Sequence, residues 1–528
     1  MSVQSSDFLA GYYLACTAVG GLIAGSIFYQ TAQIRTYISR TRWPKVEDLP
    51  NRKTDRPAAN KPDIHFALTV FLHKFWNSVI GFFDKTISEI VGLFLFIGLN
   101  IIFLLLPFQS GVGLVQQLNI RCAYIALANA AFVFPLATRN SIFVTLIGVP
   151  FERIITLHRW VGRTIFLLLT FHATYQIQSQ YTGSLYNLLA LSDVNKWGFL
   201  AYVFLIIIVI MSHSIFRRFA FEWFYWSHFN FIFFVIFGSL HQDEFLSFTG
   251  IGVGLYVIDR LIRFFVGLNK IDVVSMEAIT SGVTRIVFRY PTYYEAGQYM
   301  FVNIPQLKLP VSLIAWHPFS YSSAPSAKDK GVHNASIHVK TQGGFTRTLY
   351  ANSQKTEAPL KLRIDGPYGK PSIDFKAHRT VLLVAGGIGI TPMISILRDL
   401  VSRQVTSMPV ATQEIHFMWI IPDQVAHSWF AEEIREIIAQ SSALPKEKYL
   451  LDIKIFFTRA KSTPSTEFFA GRPNFKLVFR DIKQFHGSGD IAVGVCGPAV
   501  MLNEVRNAAV SESDTSCLFH VHTETFEL

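Results

Sequence analysis

Cysteine is nearly missing from this chain of 528 residues. There are four, Cys16, Cys122, Cys496 and Cys517, scattered and never in a CxxC pair. That excludes a disulfide framework and a cysteine-built zinc site. Charge is scarce too: 16% of residues are charged while 51% are hydrophobic, and 48 are Phe. So apolar a composition excludes an ordinary soluble protein and places the chain in the membrane class. Acidic residues are outnumbered, 36 against 47 basic, for a net charge of +11. No nucleic-acid motif accompanies that excess, and much of it lies in short segments beside apolar runs, where positive-inside bias accounts for it. A positively charged leader is also lacking ahead of the apolar residues 8–29, which therefore read as an uncleaved first span and not as a signal peptide.

What is present is, first, a set of seven runs near the length of about 20 residues that a span needs: 8–29, 88–108, 121–138, 155–178, 197–213, 226–242 and 248–266. After the first come Arg35, Arg40, Arg42, Lys45, Arg52, Lys53, Arg56 and Lys61, a segment expected in the cytosol. Threading from there puts 109–120, 179–196 and 242–250 outside, and only Lys196 among their residues is basic. It puts 139–154 inside with Arg139 and Arg153, and 214–222 inside with Arg217 and Arg218. The second half of the chain is then cytosolic. Residues 64–83 are apolar but carry His65, His73 and Lys74, which predicts an amphipathic helix at the membrane surface.

Two of the spans carry paired histidines, His158 and His172 in LHRWVGRTIFLLLTFHATYQI, and His228 and His241 in SHFNFIFFVIFGSLH. Both spans run outward in this topology. Fourteen residues of helix rise about 21 Å and thirteen about 20 Å, so His158 matches His228 in depth on the cytosolic side and His172 matches His241 on the outer side. Two neutral imidazoles are suitable axial ligands for a haem iron, and four at two depths can hold two haems. A fourteen-residue step returns to nearly the same helix face, whereas a thirteen-residue step misses by about 140°. The second helix must therefore bend or rewind, with Gly238 a possible place. A lone intramembrane histidine is more often a hydrogen-bonded bundle residue, which is the reading for His213.

Beyond Lys270 the pattern changes to short alternating strands such as VTRIVFRYP and GQYMFVNIP, which suggest a small antiparallel barrel. It contains HPFSYSSAP (317–325) and the turn QGGFTRTL (342–349). Then VLLVAGGIGITPM reads as strand, glycine turn and helix, the geometry that sets a phosphate on a helix N-terminus. The later strands IHFMWII, DIKIFFT and IAVGVCGP complete an α/β sheet pattern.

LHRWVGR…FHA, followed in order by HPFS, GGFT, DGPYG, GGIGITPM and CGP, resembles the ferric reductase and NADPH oxidase superfamily. The resemblance covers residues 87–528 and leaves 1–86, the first span with its basic cytosolic segment, outside it. It implies three further domains: 87–268, a multi-pass α-helical membrane bundle with two b-type haems on His158/His228 and His172/His241; 269–376, an antiparallel β-barrel for FAD; and 377–528, an α/β Rossmann-like NADP domain, the last two forming a ferredoxin-reductase-like module. By the same resemblance His317, Pro318, Phe319 and Ser320 line the flavin. Gly343, Gly344 and Thr346 form its pyrophosphate turn, with Thr346 capping the next helix. Gly386, Gly387, Gly389, Thr391 and Pro392 hold the nucleotide. Cys496, Gly497 and Pro498 shape the hydride-transfer pocket, although Cys496 also fits as a buried small strand residue. Arg472 in GRPNF faces the dinucleotide. Phe526 is a candidate lid over the flavin or simply a docked tail residue. Relatives that use NADPH have an arginine after the strand tryptophan where this chain has Pro422. Arg459, Lys461 and Arg472 can replace it, so NADPH is expected. Arg121, at the outer end of its span, is a candidate for a haem propionate, an anionic chelate or ordinary interfacial anchoring, and Arg159 and Arg163 for inner propionates or for topology alone.

The implied activity is transfer of electrons from cytosolic NADPH through FAD and two haems to an Fe(III) chelate, with a Cu(II) chelate as a second acceptor, outside the plasma membrane, in support of metal uptake. The alternative is a superoxide-forming NADPH oxidase. Gln176 stands four residues after His172, where oxidases place a second histidine, and HRWVGR with the extra first span looks more like fungal and plant ferric reductases. The thirteen-residue step between His228 and His241 is closer to the oxidases. The bilayer and the metal chelate are the partners expected, with no nucleic acid and no partner protein legible.

Overall fold

The computed structural model describes residues 3–40, 64–80, 85–106, 111, 113–147, 149, 151–180, 193–307, 316–325, 333–355, 361–369, 371–460, 468–486 and 489–524. The chain forms two compact units, Met1–Ala32 with Gly92–Ile262 and Gln33–Val91 with Arg263–Leu528. Among the described residues seven helical stretches are long and apolar enough to cross a membrane: Asp7–Thr31, Ile87–Leu104, Leu114–Ala137, Arg153–Ser179, Asp193–Met211, Phe221–His241 and Glu244–Val266. They are the seven expected, in the same order.

The helices are α1 (Val3–Arg40), α2 (Ile64–Asn77), α3 (Ile87–Leu104), α4 (Leu114–Val133), α5 (Phe151–Gln180), α6 (Asp193–Met211), α7 (Phe221–His228), α8 (Phe231–His241) and α9 (Glu244–Val266). Within the membrane unit α4 is the most enclosed, with 67% of its span buried. It is also the least apolar on its inner side, where Gln117, Asn119, Arg121 and Asn129 are all buried. A polar group in such a place needs a partner. Asn129 donates to Asn100 at 2.6 Å. Arg121 Nε meets Asp7 Oδ1 at 3.0 Å, both side chains being at most 1% exposed, and its Nη1 donates to the carbonyls of Leu104 and Leu106. Arg121 is thus spent inside the bundle, tying α1 to α4, and does not stand at an interface as a propionate or chelate anchor. Losing one partner of such a buried pair costs about 3–5 kcal/mol, because the other charge stays buried.

In the second unit the barrel strands are β1 (Lys270–Ile279), β2 (Val283–Tyr290), β3 (Tyr299–Asn303), β4 (His317–Ser320), β5 (His333–Lys340) and, after α10 (Gly344–Ser353), β6 (Lys361–Tyr368). Their order is β4-β3-β6-β1-β2-β5, and every pairing is antiparallel. Alternate residues such as Ile286, Phe288, Ile337, Val339, Leu362 and Ile364 point inward and form the core.

The second sheet is β7 (Thr380–Gly386), β8 (Glu414–Ile421), β9 (Leu450–Phe457), β10 (Phe468–Ala470), β11 (Ile491–Cys496) and β12 (Phe519–Glu524), with helices α11 (Ile390–Val405), α12 (Ala431–Ser442), α13 (Phe475–His486) and α14 (Ala499–Glu512). Its order is β10-β9-β8-β7-β11-β12, parallel throughout. TVLLVAG is a continuous apolar run because β7 is covered on both faces. The chain enters at β7, builds outward to β10, and returns to the other side of β7 with β11. The switch point between β7 and β11 is where such sheets bind ligands.

The stretch expected at a membrane surface forms α2, and in the second unit it packs along α14 at the edge of this sheet. His73 Nε2 lies 3.1 Å from the Phe519 carbonyl and its ring stands against His520.

At the end of α13, His486 Nδ1 is 2.6 Å from Thr380 Oγ1, whose hydroxyl donates to Glu414. Nδ1 therefore carries the hydrogen. Nε2 is buried with no hydrogen-bond partner among the described residues, and burial pushes this imidazole down to about 4 from 6.5. Between those values the unfolded chain binds a proton that the folded chain refuses, so stability is whole above about pH 6.5 and falls as pH drops toward 4. Thermal unfolding of the nucleotide domain, followed by intrinsic fluorescence across that window, is expected to show a shallower pH dependence in His486→Gln than in the wild type.

Candidate functional site

The membrane unit brings together the four histidines that the sequence singles out. His158 of α5 faces His228 at the end of α7, with ring centroids 6.2 Å apart. His172 of α5 faces His241 at the end of α8, also at 6.2 Å. A metal–imidazole bond of about 2 Å on either side, plus the two ring radii, comes to roughly 6 Å, the spacing of two imidazoles sharing one iron. The tautomers agree with that use. His158 Nδ1 is 2.9 Å from the Val133 carbonyl, His172 Nδ1 is 3.2 Å from that of Asn119, and His241 Nδ1 is 2.8 Å from that of Val194. His228 Nδ1 lies 3.2 Å from Ser212 Oγ. With Nδ1 occupied in all four, Nε2 is the nitrogen left for a metal. The helix contacts are compatible with a flat group there: α5 rests on α4 and α8 on α6, whereas α5 and α8 approach each other only sparsely. The residues present fit two haems.

The thirteen-residue step is met in part by overwinding between α7 and α8, not at Gly238. Phe229 N–H reaches the Trp226 carbonyl, Asn230 that of Ser227 and Ile232 that of Phe229, at 3.0–3.2 Å. These i→i+3 bonds wind at three residues per turn, adding about 20° per residue over an α-helix. That is the sense required to bring His241 round to the face of His228. Gly238 lies inside α8, where its missing side chain admits the Phe245 ring. His213 caps the short helix Ser214–Phe219 by accepting from Ile215 N–H. Arg163 covers the Trp160 ring at 4.9 Å.

In the barrel, β4 carries His317, Pro318, Phe319 and Ser320 and pairs with β3, Val302 opposite His317 and Tyr299 opposite Ser320. The His317 ring stacks on Phe345 with centroids 3.9 Å apart. Phe345 is in the first turn of α10, so this stack joins HPFS to the GGFT turn. Burial holds His317 down to about 4, so it is neutral at physiological pH. The Thr346 hydroxyl accepts from the amides of Gln342 at 2.8 Å and Gly343 at 3.0 Å. No side chain caps the start of α10, and nothing lies within 4 Å of where a Cβ would stand on Gly343 or Gly344. Exposed first-turn amides beside open glycines form a cradle that fits a pyrophosphate.

At the switch point the two glycine motifs meet. A Cβ on Gly389 would stand 2.7 Å from the Cys496 carbonyl, one on Gly386 2.9 Å from Pro498, and one on Gly497 2.4 Å from Met501. Trp419 Nε1 donates to the Gly387 carbonyl at 2.9 Å, and Gly387 takes φ +56. Beyond this turn α11 starts without a side-chain cap, and Pro392 occupies its first turn, where an N–H is not missed. Thr391 turns its hydroxyl back to Ile388. Cys496 is 1% exposed. Burial, with Glu524 nearby, pushes its thiol well above the usual range. It stays protonated, and what it offers is shape. Arg472 is exposed beyond β10. Arg459, after β9, pairs with Asp423 after β8 at 3.6 Å. Lys461 and Phe526 lie outside the described residues. β12 ends at Glu524, opposite Cys496 in register, so the chain leaves the sheet at this same edge.

Nothing in the motifs marks the residues that join the barrel to the nucleotide domain. Ser395, on the buried side of α11, donates to the Ser323 carbonyl at 2.7 Å and accepts from Gly297 N–H at 3.4 Å. His338 of β5 sits between Ser322 Oγ at 2.8 Å and Glu433 Oε1 of α12 at 3.3 Å. Arg285 of β2 meets the same carboxylate at 3.2 Å. These bonds fasten the end of the HPFS segment to the helix that follows GGIGITP. The one available signal was a lone serine on an otherwise apolar helix face.

Three family models match the chain: a ferric reductase like transmembrane component over residues 122–239, an FAD-binding domain over 268–372, and a ferric reductase NAD binding domain over 378–466 and 459–510. Ferric reduction oxidase 7, chloroplastic, of Arabidopsis thaliana is 29% identical over 388 residues, covering 69% of this chain and 50% of its own length. Putative respiratory burst oxidase homolog protein G of the same plant is 29% identical over 338 residues, covering 53% of this chain and 39% of its own. NADPH oxidase 1 of Mus musculus is 27% identical over 312 residues, covering 54% of this chain and 51% of its own. The chain thus spans about half or less of the length of these relatives.

A Cβ on Gly198 would stand 2.7 Å from the His241 ring. Gly198→Val is therefore expected to remove about half of the haem per flavin, measured as pyridine haemochrome, while sparing the His158/His228 pair. Ser395→Ala is expected to slow reduction of the flavin by NADPH roughly tenfold in stopped flow, with FAD content and KM for NADPH held within about twofold. A fall in melting temperature with an unchanged rate would make that bridge structural only.

Proposed function

The chain belongs to the ferric reductase and NADPH oxidase superfamily, and we propose that it carries electrons from cytosolic NADPH across the plasma membrane to an external Fe(III) chelate, with Cu(II) chelates as a second acceptor. Its domains support the coarser activity of a multi-pass membrane oxidoreductase: seven spans, a ferric reductase like transmembrane component, an FAD-binding domain and a ferric reductase NAD binding domain. The observation that carries electron transfer through the membrane unit is the pair of facing imidazole couples, each at 6.2 Å with Nδ1 already occupied.

Bound FAD would supply the conversion of a hydride from NADPH into single electrons, and two bound haems would supply their relay between the two depths. The residues of the chain do the rest. His158 with His228 holds the inner position, and His172 with His241 the outer one, about 21 Å further along α5. Gly343, Gly344 and the open end of α10 hold the flavin pyrophosphate, and Ser320 and its neighbours in β4 line the ring. Gly386, Gly387, Gly389 and the uncapped end of α11 hold the nucleotide phosphates. Cys496, Gly497 and Pro498 shape the space for the nicotinamide without offering a competing nucleophile. Arg459 and Arg472, both at the carboxyl edge of the sheet, supply the cations that a 2′-phosphate requires.

Gln176, one helical turn beyond His172, supports the chelate reading over oxygen reduction. An amide there gives a neutral donor and acceptor where a second imidazole would favour an oxygen site. The thirteen-residue step from His228 to His241 supports the second reading, a superoxide-forming oxidase. Membranes containing the protein, supplied with NADPH, are expected to reduce Fe(III)–chelate at a rate unaffected by superoxide dismutase. Chelate reduction abolished by dismutase, with strong superoxide output, would sink the reductase reading. His172→Ala is expected to remove external reduction and the outer haem while leaving NADPH-driven flavin reduction within about twofold.

A further inference from the structure

The first strand of the barrel begins in a concentration of positive charge that the electron path does not use. Lys270 opens β1, and its direct partner across the antiparallel ladder is Arg363 of β6; two residues along, Asp272 faces Lys361. Directly opposed residues share a sheet face, and residues two apart on a strand point the same way. All four side chains therefore stand on one face, and three of them are cationic. Together with Pro305 and Gln306, the three cations line a cleft of about 310 Å³.

Like charges directly opposed on a sheet are destabilising unless something lies between them. The protein supplies little. Asp272 stands 3.7 Å from Lys361 Nζ and is 76% exposed. Neither Lys270 nor Arg363 has a carboxylate at ion-pair distance among the described residues. Arg363 Nε is enclosed by protein and has no hydrogen-bond partner among them. The planar fork of a guanidinium pairs with two oxygens of one anion, phosphate included, and two flanking ammonium groups suit an anion with more than a single charge.

The position of the cleft along the chain says where such an anion comes from. α9 crosses the membrane and ends at Val266. Lys270 is the fourth residue after it, and four residues reach at most about 14 Å. The linker is also held down, because a Cβ on Gly267 would stand 2.8 Å from the Trp316 ring. Covalent geometry alone thus keeps this cation close to the headgroup layer, where basic side chains meet anionic lipid. The cleft is also close to the flavin strand in the sheet: Arg363 pairs with Asn303, next to Val302, which pairs with His317.

We propose that Lys270, Lys361 and Arg363 form a phosphate-binding site for the phosphorylated headgroup of an anionic lipid in the leaflet at the C-terminal end of α9. Arg363 fixes the orientation of the phosphate and the lysines neutralise it. Asp272 weakens the site and is a lever for testing it.

The test uses the full-length protein in neutral detergent and a fluorescent dioctanoyl phosphatidylinositol monophosphate, read by anisotropy. Saturable binding that weakens with added salt is expected. The double variant Lys270→Gln/Arg363→Gln is expected to bind at least about tenfold more weakly, and Asp272→Asn a few-fold more tightly, with haem and flavin spectra unchanged in both. The gain in Asp272→Asn keeps the test informative if the double variant fails to fold. Competition separates the sources of phosphate. Displacement by unlabelled short-chain lipid but not by equal inositol bisphosphate or inorganic phosphate supports a lipid headgroup. Equal displacement by the soluble phosphates overturns the lipid source. Binding indistinguishable from that of labelled dioctanoyl phosphatidylcholine, or unaltered in both variants, overturns the site.

Discussion

The membrane unit depends on the hydrogen bond that occupies Nδ1 of each paired histidine. An imidazole in a bilayer span is free to rotate and to present either nitrogen unless one of them is held. Here the holders come from neighbouring helices and not from the helices that bear the histidines. α4 serves α5, through the Asn119 and Val133 carbonyls. α6 serves α7 and α8, through the Val194 carbonyl and through Ser212 just beyond its end. Val133 is the last residue of α4, so its carbonyl has no intrahelical partner and is available. Val194 lies one turn before Gly198 on α6, and the missing side chain there is what lets the His241 ring reach it. Rigidity in the acceptors therefore becomes rigidity in the imidazoles, which is how an outer layer of contacts would tune a metal held between them.

That dependence explains why α4 is built as it is. A buried, polar helix is expensive in a bilayer, and Arg121 would be prohibitive without Asp7. The ion pair and the Asn100–Asn129 bond fix α4 against α1 and α3, and the carbonyls that orient His158 and His172 are fixed with it. The overwound junction at Phe229 and Asn230 is the counterpart on the other side. It gives up α-helical geometry over a short stretch, which helps two histidines thirteen residues apart to face one way.

The soluble unit follows a similar logic with backbone in place of side chains. Its two candidate phosphate cradles are both uncapped helix starts following glycine, at α10 and α11. In the proposed electron path each would be incomplete alone, since a hydride would pass between the groups they would hold. The Ser395–Ser323 bond and the cluster of His338, Glu433 and Arg285 join the two domains. They are directional polar contacts, and such contacts fix register where hydrophobic packing would allow sliding.

Much of this was legible in the residues. Seven spans follow from apolar length, and the two depths of His158/His228 and His172/His241 follow from helical rise. The barrel, the parallel sheet and the glycine turns follow from periodicity and from motif order, because each of these is a local property of the chain. The rest was not local. A helical wheel puts His228 and His241 on different faces; the overwound turn that helps to reconcile them lies at Phe229 and Asn230, where no Gly or Pro marks it. Arg121 read as an interfacial cation because its partner, Asp7, is a whole helix away. Gly198, Ser395 and Glu433 have no motif at all, since what matters about each is the atom another segment brings against it. Sequence alone determined which residues have the chemistry and roughly how deep they lie. Tertiary structure decided which nitrogen faces inward, which charge is already spent and which domains are locked together, because hydrogen bonds and close approach depend on segments that meet only when the chain is folded.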